Sequence, residues 1–429
     1  MAAVTLPIGR EVRIEDRITL DEGRVLMSGV QAAIRGIVDQ LRADRVAQRN
    51  TAGLVSGYPG SPLAGLDLEL QRQLEGLTER VDIVHRAGIN EELGATAVWG
   101  AQLAPDMNGA RYDGVVSAWY GKAPGLDRSG DALRHGNMAG AHPRGGMIAL
   151  CGDDPACKSS TLPCASEATL AALAMPVLFP GTPQEILDMT RHAILASRAS
   201  GLWIGVKIIA NVADAVGSVD VGLDRVQPVD VSVEDNGTPY VHVPSARFVV
   251  PNVLELERTM YGPRTELARA YGRVAGLNRV TADAPDARLG FVAAGGSYFE
   301  LRDALATLHL SDDDLRALGI RILKLGMITP LDGAAVTDFA RGLDEVIVVE
   351  DKDAFLEPRI KEILYGLADR PRVIGRRDET GAPFLPPASL DVDRIAAAVG
   401  RRLIARFDGL EGAQARLTEL DRPAPLPLA

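Results

Sequence analysis

The stretch from residue 81 to 102, VDIVHRAGINEELGATAVWGAQ, places a carboxylate where a strand gives way to a helix. It opens on a short apolar strand, and Asn90 is a typical N-cap for the helix that follows. Glu91 therefore stands at a helix start, at the edge where open α/β sheets bind ligands. Acidic residues are also common there because they suit the helix dipole. The local sequence leaves Glu91 and its neighbour Glu92 open to both interpretations, a site carboxylate or a first-turn charge.

Two glycine-rich loops are predicted to follow buried strands. The loop GYPGSP at 57–62 follows a strand at 52–56, and its two glycines and two prolines allow a rigid backbone to approach a ligand. The loop YGKAPG at 120–125 follows a strand at 114–119. Any strand-to-helix turn can use such residues, so neither loop identifies a site by itself.

Composition limits the classes of protein. The net charge is -11 and the pI is about 5.2, whereas a nucleic-acid binder would show a basic face. The sequence contains no apolar run that would span a bilayer. The N-terminus, MAAVTLPIGREVRIEDR, carries charges where a signal peptide needs an apolar core, so a cytoplasmic location is expected.

Three cysteines, Cys151, Cys157 and Cys164, fall within a short stretch, but none is spaced as CxxC. An iron–sulfur cluster usually takes four cysteine ligands. Disulfides are rare in the cytoplasm. We interpret these residues as buried or incidental thiols and assign no metal site.

The alternation of short apolar strands with helices predicts an α/β fold with a parallel sheet covered on both faces. Further strands are expected at 145–154, 176–179 and 202–209, with a helix at 183–199. The pattern loosens after 220, where an arginine-rich helix is expected at 265–278, and a second α/β unit begins at 288. The predicted organisation is a first domain with an N-terminal leader (1–225), a linking region (226–286), a second domain (287–405) and a C-terminal tail (406–429).

Six blocks of the sequence closely resemble the bacterial indolepyruvate ferredoxin oxidoreductases, a family of thiamine-diphosphate-dependent 2-oxoacid oxidoreductases. In order along about residues 17–405, they are TLDEGRVLMSGVQAA, NTAGLVSGYPGSPLAGLD, INEELGATAVWGAQ, YDGVVSAWYGKAPGLDRSGD, GDDPACKSSTLPCASE and VIVVEDKDAFLEPRIKEILYGLADRPRVIGRRDETGAPFLP. The resemblance implies a pyrimidine-binding domain at 1–225 and a domain similar to the transketolase C-terminal domain at 287–405.

The resemblance also implies a role for Glu91. In this class of enzyme, a carboxylate hydrogen-bonded to N1′ of the cofactor pyrimidine favours the imino tautomer, which allows the cofactor to activate itself. Glu91 matches that carboxylate. Glu92, about 100° around the helix, would point elsewhere.

Other site residues are implied by matching positions. Those assigned to cofactor binding are Tyr58, Pro59, Gly60, Asn90, Tyr120, Gly121 and Lys122, and those assigned to substrate are Ser61, Arg134, His135 and Cys164. Plain alternatives stay open: Ser61 as a helix cap, Lys122 as a surface or interface charge, and Arg134 and His135 as ordinary helix-surface residues.

The chain departs from the family pattern at three places. Pro59 stands where the family usually has an arginine, Pro155 where it commonly has a histidine, and Cys164-Ala165 where it usually has His-Gln. The changes at Pro155 and Cys164-Ala165 remove polar groups from a loop near the implied site, so a different or bulkier 2-oxoacid is expected. They leave the carboxylate at Glu91 unchanged.

The diphosphate half of the cofactor site is expected elsewhere. The Gly-Asp-Gly…Asn signature of thiamine enzymes does not occur in the sequence, where Gly152-Asp153-Asp154 lacks the third glycine. We therefore expect a partner chain to carry the diphosphate-binding and reductase portions, with Mg²⁺ and the iron–sulfur clusters. Ferredoxin or another acceptor, coenzyme A and the 2-oxoacid complete the expected partners, in a hetero-oligomer that contains a dimer.

The resulting hypothesis is a subunit that acts in oxidative decarboxylation of an aryl 2-oxoacid, similar to indolepyruvate, to an acyl-CoA. Two alternatives remain. One is a subunit of a non-oxidative thiamine-dependent decarboxylase or carboligase, and the other is a non-catalytic scaffold. Iron and labile sulfide in the complex would separate the first from the main hypothesis, and cofactor binding that depends on Glu91 would count against the second.

Overall fold

The computed structural model describes residues 13–78 and 81–422. Up to residue 221 the helices and strands are, in order, α1 (Asp16–Thr19), β1 (Gly23–Ser28), α2 (Gly29–Val46), β2 (Thr51–Gly57), α3 (Gly65–Thr78), β3 (Ile83–His85), α4 (Glu91–Leu103), β4 (Gly114–Lys122), α5 (Ala123–Arg128), α6 (Gly130–Ala139), β5 (Met147–Asp153), α7 (Glu167–Ala172), β6 (Val177–Leu178), α8 (Pro183–Ser200), β7 (Ile204–Ile209), α9 (Ala210–Asp214) and β8 (Val216–Val221).

The remaining elements are β9 (Glu234–Asp235), β10 (Thr238–Pro239), α10 (Asn252–Thr259), α11 (Thr265–Val274), β11 (Asn278–Ala282), β12 (Leu289–Ala294), α12 (Gly295–Thr307), α13 (Asp312–Ala317), β13 (Ile320–Leu325), β14 (Met327–Thr329), α14 (Gly333–Ala340), β15 (Glu345–Val349), α15 (Leu356–Leu364), β16 (Arg372–Ile374), α16 (Val392–Ile404) and α17 (Glu411–Leu420). A π-helical turn, Met260–Arg264, joins α10 to α11.

A seven-stranded sheet forms the first unit, in the order β14-β6-β7-β5-β4-β2-β3. Every neighbouring pair is parallel except β14 with β6. Helices cover both faces, which explains why a central strand such as β5 is buried along its whole length. The α/β class predicted from sequence is confirmed.

Consecutive residues of β4 show which helices lie on which face. Side chains of a strand alternate between the two faces of its sheet. The indole of Trp119 bonds to the first residue of α4, and the phenol of Tyr120 bonds to Asp67 of α3. Helices α4 and α3 therefore cover opposite faces.

A five-stranded sheet forms the second unit, in the order β11-β13-β12-β15-β16, with only β11 antiparallel. One face carries α12, α16 and α17 over Phe291 and Ala293, and the alternate residues Val292 and Ala294 belong to the core shared with the first unit. The predicted tail thus contains a helix, α17, with Leu417 buried; residues 423–429 lie outside the described residues.

The two units share a strand. β14 comes after β13 of the five-stranded sheet, but it pairs with β6 at the edge of the seven-stranded sheet. The predicted division near residue 286 stays a prediction. Strand β11 lies before it but belongs to the five-stranded sheet, and β14 lies after it but belongs to the seven-stranded sheet. Across the described residues, every helix falls short of the length or hydrophobicity that spanning a bilayer requires.

Between β8 and α10 the chain runs as an irregular strap, residues 226–251, with only a two-residue hairpin pairing. His242 anchors the strap. Its imidazole sits against Gly140 and Gly201, where an added Cβ would come within 1.8 Å and 2.4 Å of the ring. Its Nε2 lies 3.0 Å from the carbonyl oxygen of Ala139.

Two of the predicted elements are wrong. The glycine-rich loop at 120–125 is instead the end of β4, whose ladder continues through Lys122 paired with Gly152, followed at once by α5. The arginine-rich helix ends at Val274 rather than 278. Asn278 starts the edge strand β11, and its side-chain oxygen accepts bonds from the N–H groups of Gly326 and Met327, each at 2.9 Å.

Candidate functional site

The carboxyl ends of β2, β4 and β5 lie side by side in the parallel sheet. The loops that follow them, together with the turn from β3 into α4, therefore emerge at one edge. In open α/β sheets this edge is where ligands bind. The candidate site is built from these segments.

Glu91 is the first residue of α4. Asn90 caps the helix as predicted, its side-chain oxygen accepting from the N–H of Leu93 at 2.9 Å. The indole Nε1 of Trp119 donates to the backbone carbonyl of Glu91 at 2.9 Å, which fixes the helix start on β4. The half-buried carboxylate has no hydrogen-bond or ion-pair partner among residues 13–78 and 81–422.

Two glycines leave room for this carboxylate. A Cβ on Gly125 would stand 2.7 Å from Oε1 of Glu91, and one on Gly121 would stand 3.5 Å from its Cγ. Any larger residue at 125 would push the carboxylate away. The site is therefore shaped to hold an acidic side chain without satisfying its hydrogen-bonding capacity.

A second set of glycines presses α4 onto the end of β2. The N–H of Gly88 donates to the carbonyl of Gly57 at 2.7 Å, and a Cβ on Gly94 would lie 2.8 Å from the Gly57 Cα. Only glycine permits backbones to approach this closely. This contact sets the depth at which Glu91 sits.

Tyr120 and Lys122 lie on the other face of β4 from Glu91. The phenol of Tyr120 bonds to Asp67 and lies 3.1 Å from Nε2 of His85, in a buried cluster. Burial and the Asp67 carboxylate raise the pKa of Tyr120. The stem of Lys122 lies 3.1 Å from where a Cβ on Gly60 would be. The structure therefore brings Gly121 to Glu91 and keeps these two side chains apart from it.

The loop at 57–62 remains next to β4 through the N–H of Tyr58, which donates to the carbonyl of Tyr120 at 3.2 Å. The side chain of Tyr58 is 41% exposed, and Pro59 is exposed as well. The Ser61 hydroxyl bonds to that of Ser159, so it contacts the loop after β5. Their roles in binding stay predictions.

The loop after β5, residues 154–166, is held by its own first residue. The carboxylate of Asp154 accepts from three backbone N–H groups, at residues 158, 159 and 160, over 2.7–2.9 Å. Although burial opposes the effect, these bonds hold the pKa of Asp154 below its usual range. The Asp154 N–H points to Sγ of Cys164 at 3.3 Å, and burial raises the pKa of this thiol. Cys164 thus faces Asp154, the first residue of the loop.

Arg134 and His135 lie farther along, on α6. A guanidinium nitrogen of Arg134 donates to the carbonyl of Ala172 at 3.1 Å. The His135 ring packs between Trp99 and Phe248, with centroids 6.1 Å and 5.3 Å away. Both side chains make contacts that join helices or the strap, and a role toward substrate stays a prediction.

The sequence interpretation missed a buried charge cluster beside the loop 154–166. Lys207 of β7 bonds to Glu167 and lies 3.6 Å from Asp153. Burial alone would lower the pKa of Lys207, but the two carboxylates outweigh it and raise the pKa. Asp153 also accepts from the N–H and hydroxyl of Ser166, at 2.8 Å and 3.0 Å. A lone lysine inside the apolar run GLWIGVKIIA was the signal that could have revealed it.

The chain is similar to known oxidoreductases. An indolepyruvate oxidoreductase domain model matches residues 279–424. Indolepyruvate oxidoreductase subunit IorA of Methanothermobacter marburgensis is 28% identical over 380 residues, covering 88% of this chain and 55% of the relative. The chain is similar to the indolepyruvate oxidoreductase family.

Two further relatives match over nearly the whole chain. IorA of Methanothermobacter thermautotrophicus is 27% identical, with 96% of this chain and 59% of the relative covered, and IorA of Pyrococcus abyssi is 23% identical with the same coverage. The chain thus spans between half and three-fifths of the length of these relatives.

A solved structure shares the fold of this chain. It is a 2-oxoglutarate:ferredoxin oxidoreductase from Magnetococcus marinus with 2-oxoglutarate, coenzyme A and succinyl-CoA bound. The TM-score is 0.59 and the identity 14%, with 88% of this chain and 65% of that chain covered. The predicted α/β fold is shared with the matched part of that chain.

Proposed function

We propose that this chain forms the pyrimidine-binding part of a thiamine-diphosphate-dependent 2-oxoacid oxidoreductase, with Glu91 as the residue that activates the cofactor. One observation carries the proposal: a half-buried carboxylate at the ligand-binding edge of the sheet that lacks a partner among the described residues. A carboxylate placed so is available to a ring nitrogen of a ligand.

The residues present fit the pyrimidine half of thiamine diphosphate. The space above Gly121 and Gly125 keeps the Glu91 carboxylate free, and the α4 N-terminus favours a negative charge there. Asn90 and Gly60, with the exposed Tyr58, would line the same edge. When bound, the cofactor supplies the nucleophile that attacks the carbonyl of a 2-oxoacid.

The work of this chain is to orient that ring and hold one proton. Glu91 would bond to the pyrimidine N1′ through its carboxylate. Trp119 keeps the backbone of Glu91 in place, and the contact of Gly94 with Gly57 prevents α4 from shifting along β2. A shift of about 1 Å in a positioned group can cost on the order of a hundredfold in rate, which explains why so many close contacts converge there.

The diphosphate site, Mg²⁺ and the iron–sulfur clusters would come from a partner chain. The proposal rests on the lack of a Gly-Asp-Gly…Asn signature in the sequence. The complete complex would oxidise an aryl 2-oxoacid to an acyl-CoA in the cytoplasm and pass electrons to ferredoxin or another acceptor.

The test uses the complex purified from its native cells through a tag on this chain. Bound thiamine diphosphate, iron and labile sulfide are measured, and then reduction of a viologen dye with an aryl 2-oxoacid and coenzyme A. We expect Glu91→Gln to lower kcat by roughly 10²–10⁴, the range of general acid–base groups. Its matched control, Glu92→Gln at the exposed neighbouring position, should stay within about twofold.

Equal activity of the two variants would overturn the role of Glu91. A complex that binds thiamine diphosphate but contains no iron or labile sulfide would favour a non-oxidative decarboxylase or carboligase. A complex without thiamine diphosphate would reject the proposal as a whole.

A further inference from the structure

The five-stranded unit reaches the candidate site through one lysine. Lys352 lies in the segment after β15, and its Nζ donates to the backbone carbonyl of Pro155, in the loop 154–166 of the seven-stranded unit. That carbonyl belongs to the loop that contacts Ser61 through Ser159 and Ser160. Among the described residues, Lys352 is the side chain of the second unit that bonds to this loop.

Hydrogen bonds within the five-stranded unit hold the backbone around Lys352 in place. The N–H of Lys352 donates to the carbonyl of Ala388 at 3.1 Å, and the adjacent carboxylate of Asp351 accepts from the N–H of Leu390 at 2.7 Å. Lys352 has a φ of +58°, a left-handed conformation that is uncommon for residues other than glycine. A strained backbone with a side chain directed at another unit indicates a functional contact.

The two units are joined close to Lys352. They share the β14–β6 pairing, and Lys207 of the first unit and Asp351 and Phe355 of the second line a cavity of about 20 Å³. The two ends of the loop are secured from the first unit, by Asp154 at one end and by the bonds between Asp153 and Ser166 at the other. The contact with Lys352 therefore adds an attachment that is made from outside the sheet that carries the loop.

We propose that Lys352 is a positioning residue that holds the loop 154–166 against Ser61, so that the second unit sets the affinity for the substrate. The bond from Lys352 to Pro155 and the contacts of Ser159 and Ser160 with Ser61 support the role of Lys352 in holding the loop. The consequence for substrate rests on the proposed function and on the substrate roles that the resemblance implies for Ser61 and Cys164.

Cys164 offers a direct readout of the loop. The chain has three cysteines, of which Cys151 is buried, Cys157 is exposed and Cys164 is half-buried. In a Cys157→Ser background, serine can keep the bond that Cys157 Sγ makes to the carbonyl of Ser160, and Cys164 becomes the reactive thiol. Its alkylation by iodoacetamide then measures how often the loop opens, because burial keeps it in the slow thiol form.

In this background Lys352→Met should raise the rate of Cys164 alkylation roughly tenfold, the effect expected when one hydrogen bond from a charged group is lost. Lys352→Arg should restore a slow rate. The matched control is Lys361→Met, a lysine of the same unit that bonds only to Glu357 and should leave the rate within about twofold. Unchanged rates in Lys352→Met would overturn the proposal.

Lys352→Gly is a second variant without the lysine side chain, and it tests the proposal even if Lys352→Met does not fold. Glycine adopts a positive φ without strain, so this variant should fold at least as stably as the native chain while its loop opens as in Lys352→Met. A rate equal to that of the native chain would contradict the proposal, because the side chain is absent there.

The kinetic arm uses the complex and the dye assay described above. Lys352→Met should raise KM for the 2-oxoacid at least fivefold and leave kcat within about twofold, a split that a general loss of stability would not produce. If kcat falls and KM does not change, a role in positioning substrate is rejected. If the native complex shows no turnover, the proposed function fails, and the alkylation rates still decide whether Lys352 holds the loop.

Discussion

The carboxylate of Glu91 lies in space that Gly125 leaves open. A Cβ on Gly125 would stand 2.7 Å from Oε1 and 2.6 Å from Cγ of Glu91. The two residues belong to different helices, since Gly125 lies in α5 and Glu91 begins α4. The absence of one methyl group thus determines where the acidic side chain can rest.

The first prediction concerns this contact. Gly125→Ala should displace the Glu91 carboxylate and lower kcat by at least about tenfold, because a misplaced acid–base group loses most of its effect. The measurement is the dye assay on the purified complex. Gly130→Ala serves as the control, since an added Cβ there meets nothing within 4 Å, and its activity should be unchanged. Retention of full activity in Gly125→Ala would show that the carboxylate position is not critical.

The second prediction concerns the buried charges. Lys207 is 3% exposed and bonds to Glu167 close to Asp153. Lys207→Met should strand two buried carboxylates and lower the free energy of unfolding by about 3–5 kcal/mol. Adding Glu167→Gln should recover part of the loss, because one stranded charge disappears.

Urea unfolding followed by circular dichroism measures these changes. The control is Lys361→Met, which removes a half-exposed lysine from the buried Glu357. That carboxylate keeps the bond from the N–H of Arg376 at 2.9 Å, so the loss should stay below about 1.5 kcal/mol. A loss of similar size in both lysine variants would contradict the assignment of a buried cluster.

The third prediction is a dependence of stability on pH. Burial, aided by the charge of Arg264, lowers the pKa of His242 to about 3. An unfolded histidine has a pKa near 6.5, so below about pH 6.5 the unfolded chain binds a proton that the folded chain excludes. The contribution is therefore present above pH 6.5 and is lost as pH falls toward 3, at a cost on the order of 3 kcal/mol by pH 4.

His242→Gln should flatten this decline, because glutamine does not titrate but can still donate to the carbonyl of Ala139. The urea midpoint between pH 7 and pH 4 is the measurement. His309→Asn, an exposed position with a φ of +60° that asparagine tolerates, is the control and should keep the native slope. Identical slopes in the native chain and His242→Gln would show that His242 does not govern acid stability.

The fourth prediction separates two residues that the sequence assigned to substrate. Ser61 lies at the site edge against Ser159, whereas Arg134 bonds to the carbonyl of Ala172. Ser61→Ala should raise KM for the 2-oxoacid by roughly fivefold to tenfold, the value of one hydrogen bond, and Arg134→Ala should change KM by less than about twofold. The opposite order of effects would place Arg134 at the substrate.

Much of the fold could be read from sequence because the signals are local. The apolar runs that became β2, β5 and β15 are short and flanked by glycine or polar residues, and Asn90 is a standard cap. The wrong predictions came where one residue type can serve two structural roles. Gly121 suggested a loop, yet it is glycine because Trp119 and Glu91 approach it from one face of a continuous strand.

The sequence alone determined the α/β class, the cap at Asn90 and the carboxylate that resembles the family's activating residue. Which residues stand beside Glu91 was decided only by tertiary structure. Strand alternation turns Tyr120 and Lys122 to the opposite face, and the pairing of β14 with β6 brings Lys352 next to Pro155, nearly two hundred positions away along the chain. Such contacts depend on sheet order and on packing between units, and neither leaves a periodic signal in the sequence.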